Sequence, residues 1–146
     1  MSIFQSFNIN ASGMTAERFR TDIISENIAN VNTTSTENGE PYTRHVVKFR
    51  EKGNNFWEYY RRSTDKYLGN GVKVSGIYED HVTPYKMEYD PSNPDADENG
   101  YVTYPNVNIV TEMTNMIDAS RAYEANATAF EASKAMASRG LSIGQA

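Results

Sequence analysis

Cysteine is absent from these 146 residues, so neither a disulfide nor a thiolate metal site can form. Apolar residues are scarce at 38%, and the mean hydropathy is -0.67. No run approaches the ~20 apolar residues that a membrane-spanning helix needs. Met1 to Asn10 has neither a basic start nor an apolar core of about 7–15 residues, so no cleaved secretory signal is expected there. Positive charge is in deficit, with a net charge of -5. That balance argues against nucleic acid as the main partner. The length allows one ordinary domain. The composition suits a modest core joined to extended segments that await contact.

What is present begins with Pro105 to Leu141, the longest stretch free of turn clusters. Its apolar residues recur alternately at four and three, through Ile109, Met113, Met116, Tyr123, Phe130 and Leu141. That period predicts a helix presenting a seam to another helix. Small residues, among them Ala125 and Ala129, form a second stripe that admits close approach. As one helix, Ile109 to Arg139 is roughly 46 Å long. Such a helix needs partners.

The same rhythm runs from Ile3 to Val31 through Ile3, Phe7, Met14, Ile24 and Ile28. Ser12-Gly13 interrupts it, and a bend is expected there because Gly costs about 1 kcal/mol in a helix. Asn30 to Thr34 marks the end, since these side chains compete for backbone hydrogen bonds. Between the helices the pattern turns to strands and breaks. Tyr42–Phe49, Gly71–Tyr78 and Pro84–Tyr89 read as three strands of one small antiparallel sheet or hairpin. The expected fold is therefore α+β: long N- and C-terminal helices paired as a coiled-coil-like unit, with a small β-rich module inserted between them. The expected division is 1–34 and 105–146 for the terminal helical domain and 35–104 for the inserted module.

Two motifs carry a resemblance. Ser12-Gly13-Met14-Thr15-Ala16 leads into Ile24-Ser25-Glu26-Asn27-Ile28-Ala29-Asn30, and Glu112-Met113 precedes Ser120-Arg121-Ala122-Tyr123-Glu124-Ala125-Asn126. These resemble the paired terminal signatures of the bacterial flagellar rod and hook axial proteins. Asp95 to Val102, followed by Tyr104-Pro105-Asn106, narrows the resemblance to the proximal-rod members of that family. Glu26 stands where the family more often has Asn, and Met14 where Leu is usual.

The resemblance implies a structural subunit of the basal-body rod in the periplasm, transmitting torque around the export channel. Its partners would be copies of itself, other rod proteins and the flagellar export apparatus, which would export it without a cleaved signal. Another rod or hook axial protein is the alternative within the family. Packing would fall to Ile3, Phe7, Met14, Ile24, Ile28, Met113, Met116, Tyr123, Phe130 and Leu141. Asn27, Asn30, Tyr123 and Asn126 match the family motif and would supply polar register contacts.

Charge is divided between neighbouring segments. Tyr42–Lys73 carries +5 and Val74–Pro105 carries -6. In the basic block Phe49, Phe56, Trp57, Tyr59, Tyr60 and Tyr67 interleave with Arg50, Lys52, Arg61, Arg62 and Lys66. Aromatic and basic residues together can stack bases, but no nucleic-acid-binding motif accompanies them. Neighbouring subunits and anionic cell-wall polymer both remain open as partners for this block. Asp95, Asp97, Asn99 and Gly100 match the opening of a calcium-binding loop, which would make the chain a helical regulator of another class. The twelfth position is Asn106 instead of Glu, and these are ordinary turn residues, so a turn is expected. His45 and His81 share no ligand spacing, and no nucleophile or phosphate-loop pattern occurs. Neither a cofactor nor catalysis is expected.

Overall fold

A computed structural model describes residues 3–53, 60 and 69–144. Its elements run α1 (Ile3–Ala29), β1 (His45–Glu51), β2 (Val72–Glu79), β3 (Lys86–Tyr89), β4 (Tyr101–Tyr104) and α2 (Ile109–Ile143). The fold is α+β, two long helices with a small β module between them. The chain forms two compact units, one of residues 1–19, 49–75 and 119–146, the other of residues 20–48 and 76–118.

Both helices form where the three-four rhythm predicts them. α1 stops at Ala29, where Asn30, Val31 and Thr33 turn the chain through their own backbone bonds. α2 starts on a cap: Asn108 Oδ1 accepts the amides of Val110 and Thr111 at 3.0 and 3.2 Å. α1 runs helical through Ser12 and Gly13, so the dipeptide does not break it. The dipeptide has another use. Ser12 Oγ donates to Ile9 O (2.7 Å) and accepts the Val72 amide (3.0 Å), so it fixes the start of β2 against the helix. A Cβ on Gly13 would lie 2.7 Å from Asn126 Oδ1, so the bare backbone leaves room for the amide of α2.

The single three-stranded sheet expected from the sequence is replaced by two two-stranded ones, β1–β2 and β3–β4. The fourth strand lies behind a turn cluster. In that turn Asp97 Oδ1 accepts the amides of Asn99 and Tyr101 at 2.9 and 2.8 Å, delivering Tyr101 into antiparallel register with Tyr89. The hairpin buries Val102 completely and leaves Met87 and Tyr89 outside.

Candidate functional site

The buried line of α2 is not its most apolar one. Glu112, Ala119 and Ser133 are buried, with Asn126 half-buried between them, all at heptad spacing. Within the first unit Ser6 Oγ lies 2.9 Å from Ser133 Oγ, and Gly13 receives Asn126. Phe7 meets Phe130 at 5.0 Å between ring centroids. These contacts ascend one helix as they descend the other, so the two helices are antiparallel there.

Within the second unit the helices meet through a polar knot. Asn27 and Glu112 are both wholly buried. Asn27 Nδ2 donates to Glu112 Oε2 (3.1 Å) and to His45 O (2.8 Å). Its Oδ1 accepts the His45 amide (2.8 Å) and the Tyr42 hydroxyl (2.9 Å). Glu112 Oε1 accepts Arg44 Nε and Nη2 at 2.9 and 2.7 Å, and Asn115 Nδ2 at 3.2 Å. Arg44 reaches on to Asp80 Oδ2 at 3.3 Å. Asn106 completes the knot, accepting the Arg44 amide (2.8 Å) and donating to the carbonyls of Asp80 and Thr83. One asparagine and one carboxylate thus bind the two helices to the start of β1. A buried charge is tolerated only with such partners.

Asp80 is held below the usual carboxylate range, chiefly by the Thr83 hydroxyl and amide, with Arg44 contributing least. Tyr42 is shifted the other way, above its ordinary value of 10.0, by burial first and then by the charges of Glu26 and Glu112. In alkali the unfolded chain therefore releases the tyrosyl proton before the folded chain does. The unfolded state then binds fewer protons, so stability falls as pH rises past the unfolded value. Thermal melts between about pH 9 and pH 11 should show a steeper loss for the natural chain than for Tyr42→Phe. Parallel pH dependences would exclude Tyr42 as the source.

The residues expected to carry packing divide into two groups. Ile24 and Asn27 are buried; Phe7, Met14, Ile28, Asn30, Met116, Asn126 and Phe130 are half-buried. Met113, Tyr123, Ala125, Ala129 and Leu141 face outward. Asn30 bonds locally, donating to Glu26 O and accepting the Thr33 hydroxyl. The Ile3 side chain, Phe56, Trp57, Tyr59, Arg61, Arg62, Lys66 and Tyr67 lie outside the described residues. Tyr42, Arg44, His45, Asp80 and Asn106 lie outside the set that the sequence assigns to packing and register. They come together from separate stretches of the chain, which periodicity does not detect. Of the acids in the calcium-like pattern, Asp97 caps its own turn and Asp95 accepts the Thr34 hydroxyl at 2.6 Å. Among the described residues no group of three or more His, Cys, Asp or Glu is placed to hold a metal.

Outside the knot, the first turns of α2 present a continuous apolar stripe. Ile109, Val110, Met113 and Ile117 are 41, 74, 53 and 53% exposed, and their spacing puts them on one side of the helix. The stripe runs into a cleft of about 610 Å³ whose walls include Val31, Pro84, Val107 and Ile109. No helix of the described residues is long and apolar enough to cross a membrane.

Residues 7–35 match the family described as flagella basal body rod protein, and residues 98–143 match the flagellar basal body rod FlgEFG protein C-terminal family. These two segments contain the polar partners Asn27 and Glu112. The chain is 45% identical to the flagellar basal-body rod protein FlgC of Borreliella burgdorferi, covering 98% of each chain. It is 43% identical to that of Bacillus subtilis over 99% of this chain and 100% of the relative. The FlgC of Salmonella typhimurium is 34% identical, again over 99% of this chain and 100% of the relative. With both terminal motifs matched and relatives aligned over nearly its whole length, the chain belongs to the FlgC family of flagellar basal-body rod proteins, structural subunits of the rod.

Proposed function

We propose that the chain builds the proximal rod by packing its terminal helices, 1–34 with 105–146, against neighbouring copies and other rod proteins. The assembly surrounds the export channel and transmits torque. The chain acts by packing and not by catalysis. It reaches the periplasm through the flagellar export apparatus without losing a signal peptide, and the finished rod stands close to the cell wall. Of the residues expected from the sequence, Ile24 and Asn27 hold the subunit's own helices together, and the interface set is Ile3, Phe7, Met14, Ile28, Asn30, Met113, Met116, Tyr123, Ala125, Asn126, Ala129, Phe130 and Leu141.

The observation that carries this reading is the exposed stripe Ile109, Val110, Met113 and Ile117. Large apolar side chains grouped on one helix face mark a contact surface, whereas scattered ones do not. Their exposure contrasts with the polar line that the same helix buries. The double variant Met113→Asp/Ile117→Asp should keep the circular dichroism and melting temperature of the natural chain. Cells relying on it should fail to swim and should yield no complete rods. Normal swimming would remove this stripe from the interface.

A further inference from the structure

In the first unit, α1 and β2 enclose a groove of about 470 Å³. Its floor is apolar, built from Ala11, Ala16, Phe19, Val72 and Val74, and Lys52 and Lys73 stand among its lining residues. Neither lysine has an ion-pair partner among the described residues. Arg50, near the end of β1 and two positions before Lys52, is also exposed. An apolar floor with cationic edges calls for an occupant that is apolar in its middle and acidic at its border.

The second unit carries a segment of that description. On one face of the β3–β4 hairpin, Met87, Tyr89 and Tyr101 are 62, 64 and 44% exposed. Tyr89 and Tyr101 are locked edge to face with centroids 5.3 Å apart, so little side-chain freedom remains to be lost on docking. From Lys86 to Tyr101 there are five acids against one lysine. Glu98 is exposed at the tip of the turn, beside the Asp97 cap. Tyr and Met are favoured at the centre of interfaces, and complementary charge fixes the register.

We propose that the Lys52–Lys73 groove receives the tip of the β3–β4 hairpin from a second copy of this chain. The proposal rests on the rod reading above and specifies one contact within it. Two different surfaces of one chain make a head-to-tail interface, which continues from copy to copy around a ring or along a screw path instead of pairing as a symmetric dimer. A rod requires that kind of joint.

The absence of natural cysteine makes the test direct. Full-length Lys52→Cys and Glu98→Cys chains are co-expressed as the sole source of the subunit, and isolated basal bodies are oxidised. A disulfide-linked mixed dimer is expected, with none from either variant alone. Lys73→Cys with Asn99→Cys is the second pair, should the first fail to assemble. In parallel, Lys52→Glu/Lys73→Glu should reduce swimming at least tenfold, and adding Glu98→Lys should restore part of it. Assembled rods without a mixed dimer from either pair would overturn the proposal. Cross-links only to a protein of another mass would overturn it as well, identifying a different rod protein as the occupant. A strain lacking the chain that still swims would defeat the rod reading itself, and this contact with it.

Discussion

Glu112→Ala should destabilise the second unit by about 3–5 kcal/mol, the usual cost of removing one partner from a buried ion pair. Glu112 is wholly buried, and two Arg44 nitrogens converge on its Oε1 at 2.9 and 2.7 Å. Without the carboxylate, a guanidinium that is 21% exposed keeps, among the described residues, only Asp80 as an ion-pair partner, at 3.3 Å. The Asn27 and Asn115 amides lose an acceptor at the same time. Glu112→Gln is the informative companion. It retains the shape and one acceptor oxygen but removes the charge, so it should cost less than alanine. Asn27→Ala should cost several kcal/mol, because it strips partners from the His45 backbone and the Tyr42 hydroxyl. The double variant should lose less than the two single losses combined, since both belong to one network. Denaturant midpoints of the four variants give these values. A cost below about 1 kcal/mol for Glu112→Ala would mean that water satisfies the site.

Gly71→Ala should be the most damaging small change in the first unit, at about 2–4 kcal/mol. Gly71 sits at φ 93°, in the left-handed region where a Cβ is strained. Here the Cβ would also run into Ser12 Oγ and come within 3.2 Å of the Ile9 Cα. Ser12 cannot move aside freely, because its hydroxyl holds both the Ile9 carbonyl and the Val72 amide. Gly39→Ala supplies the comparison. Its φ is 77°, but nothing lies within 4 Å of the added atom. The loss at Gly39 therefore measures backbone strain alone, and the excess at Gly71 measures the close approach. Equal losses at the two sites would show that Ser12 yields.

The helices were legible because their period is long and sustained, but the side that α2 turns inward was not. Sequence reading assigns the seam to the large apolar residues Met113, Tyr123 and Leu141. The folded chain buries Glu112, Ala119 and Ser133 instead. The rule that apolar residues go inside holds for a chain that completes its own core. A subunit that meets neighbours can keep its apolar side chains for them and join its own helices through polar groups. β4 was missed for a different reason: four residues, Tyr101–Tyr104, follow a run of Asp, Asn and Gly that reads as turn. The knot depends on residues from four separate stretches, Asn27, Arg44, Asn106 and Glu112. Only the fold shows that they converge.

The polar contacts between the helices also give this subunit a mechanical character. Two helices joined by a greased apolar seam can creep past one another under shear, since every position offers a similar contact. Here sliding in the first unit requires the Ser6–Ser133 bond to rupture and Asn126 to climb out of the space at Gly13. The next equivalent alignment lies one heptad away, about 10.5 Å along the axis. It would bring Ser6 opposite Asn126 and Gly13 opposite Ala119, with neither the hydroxyl pair nor the fitted amide. Under axial load such a joint stays stiff up to a yield point and then fails abruptly, where a greased seam would flow.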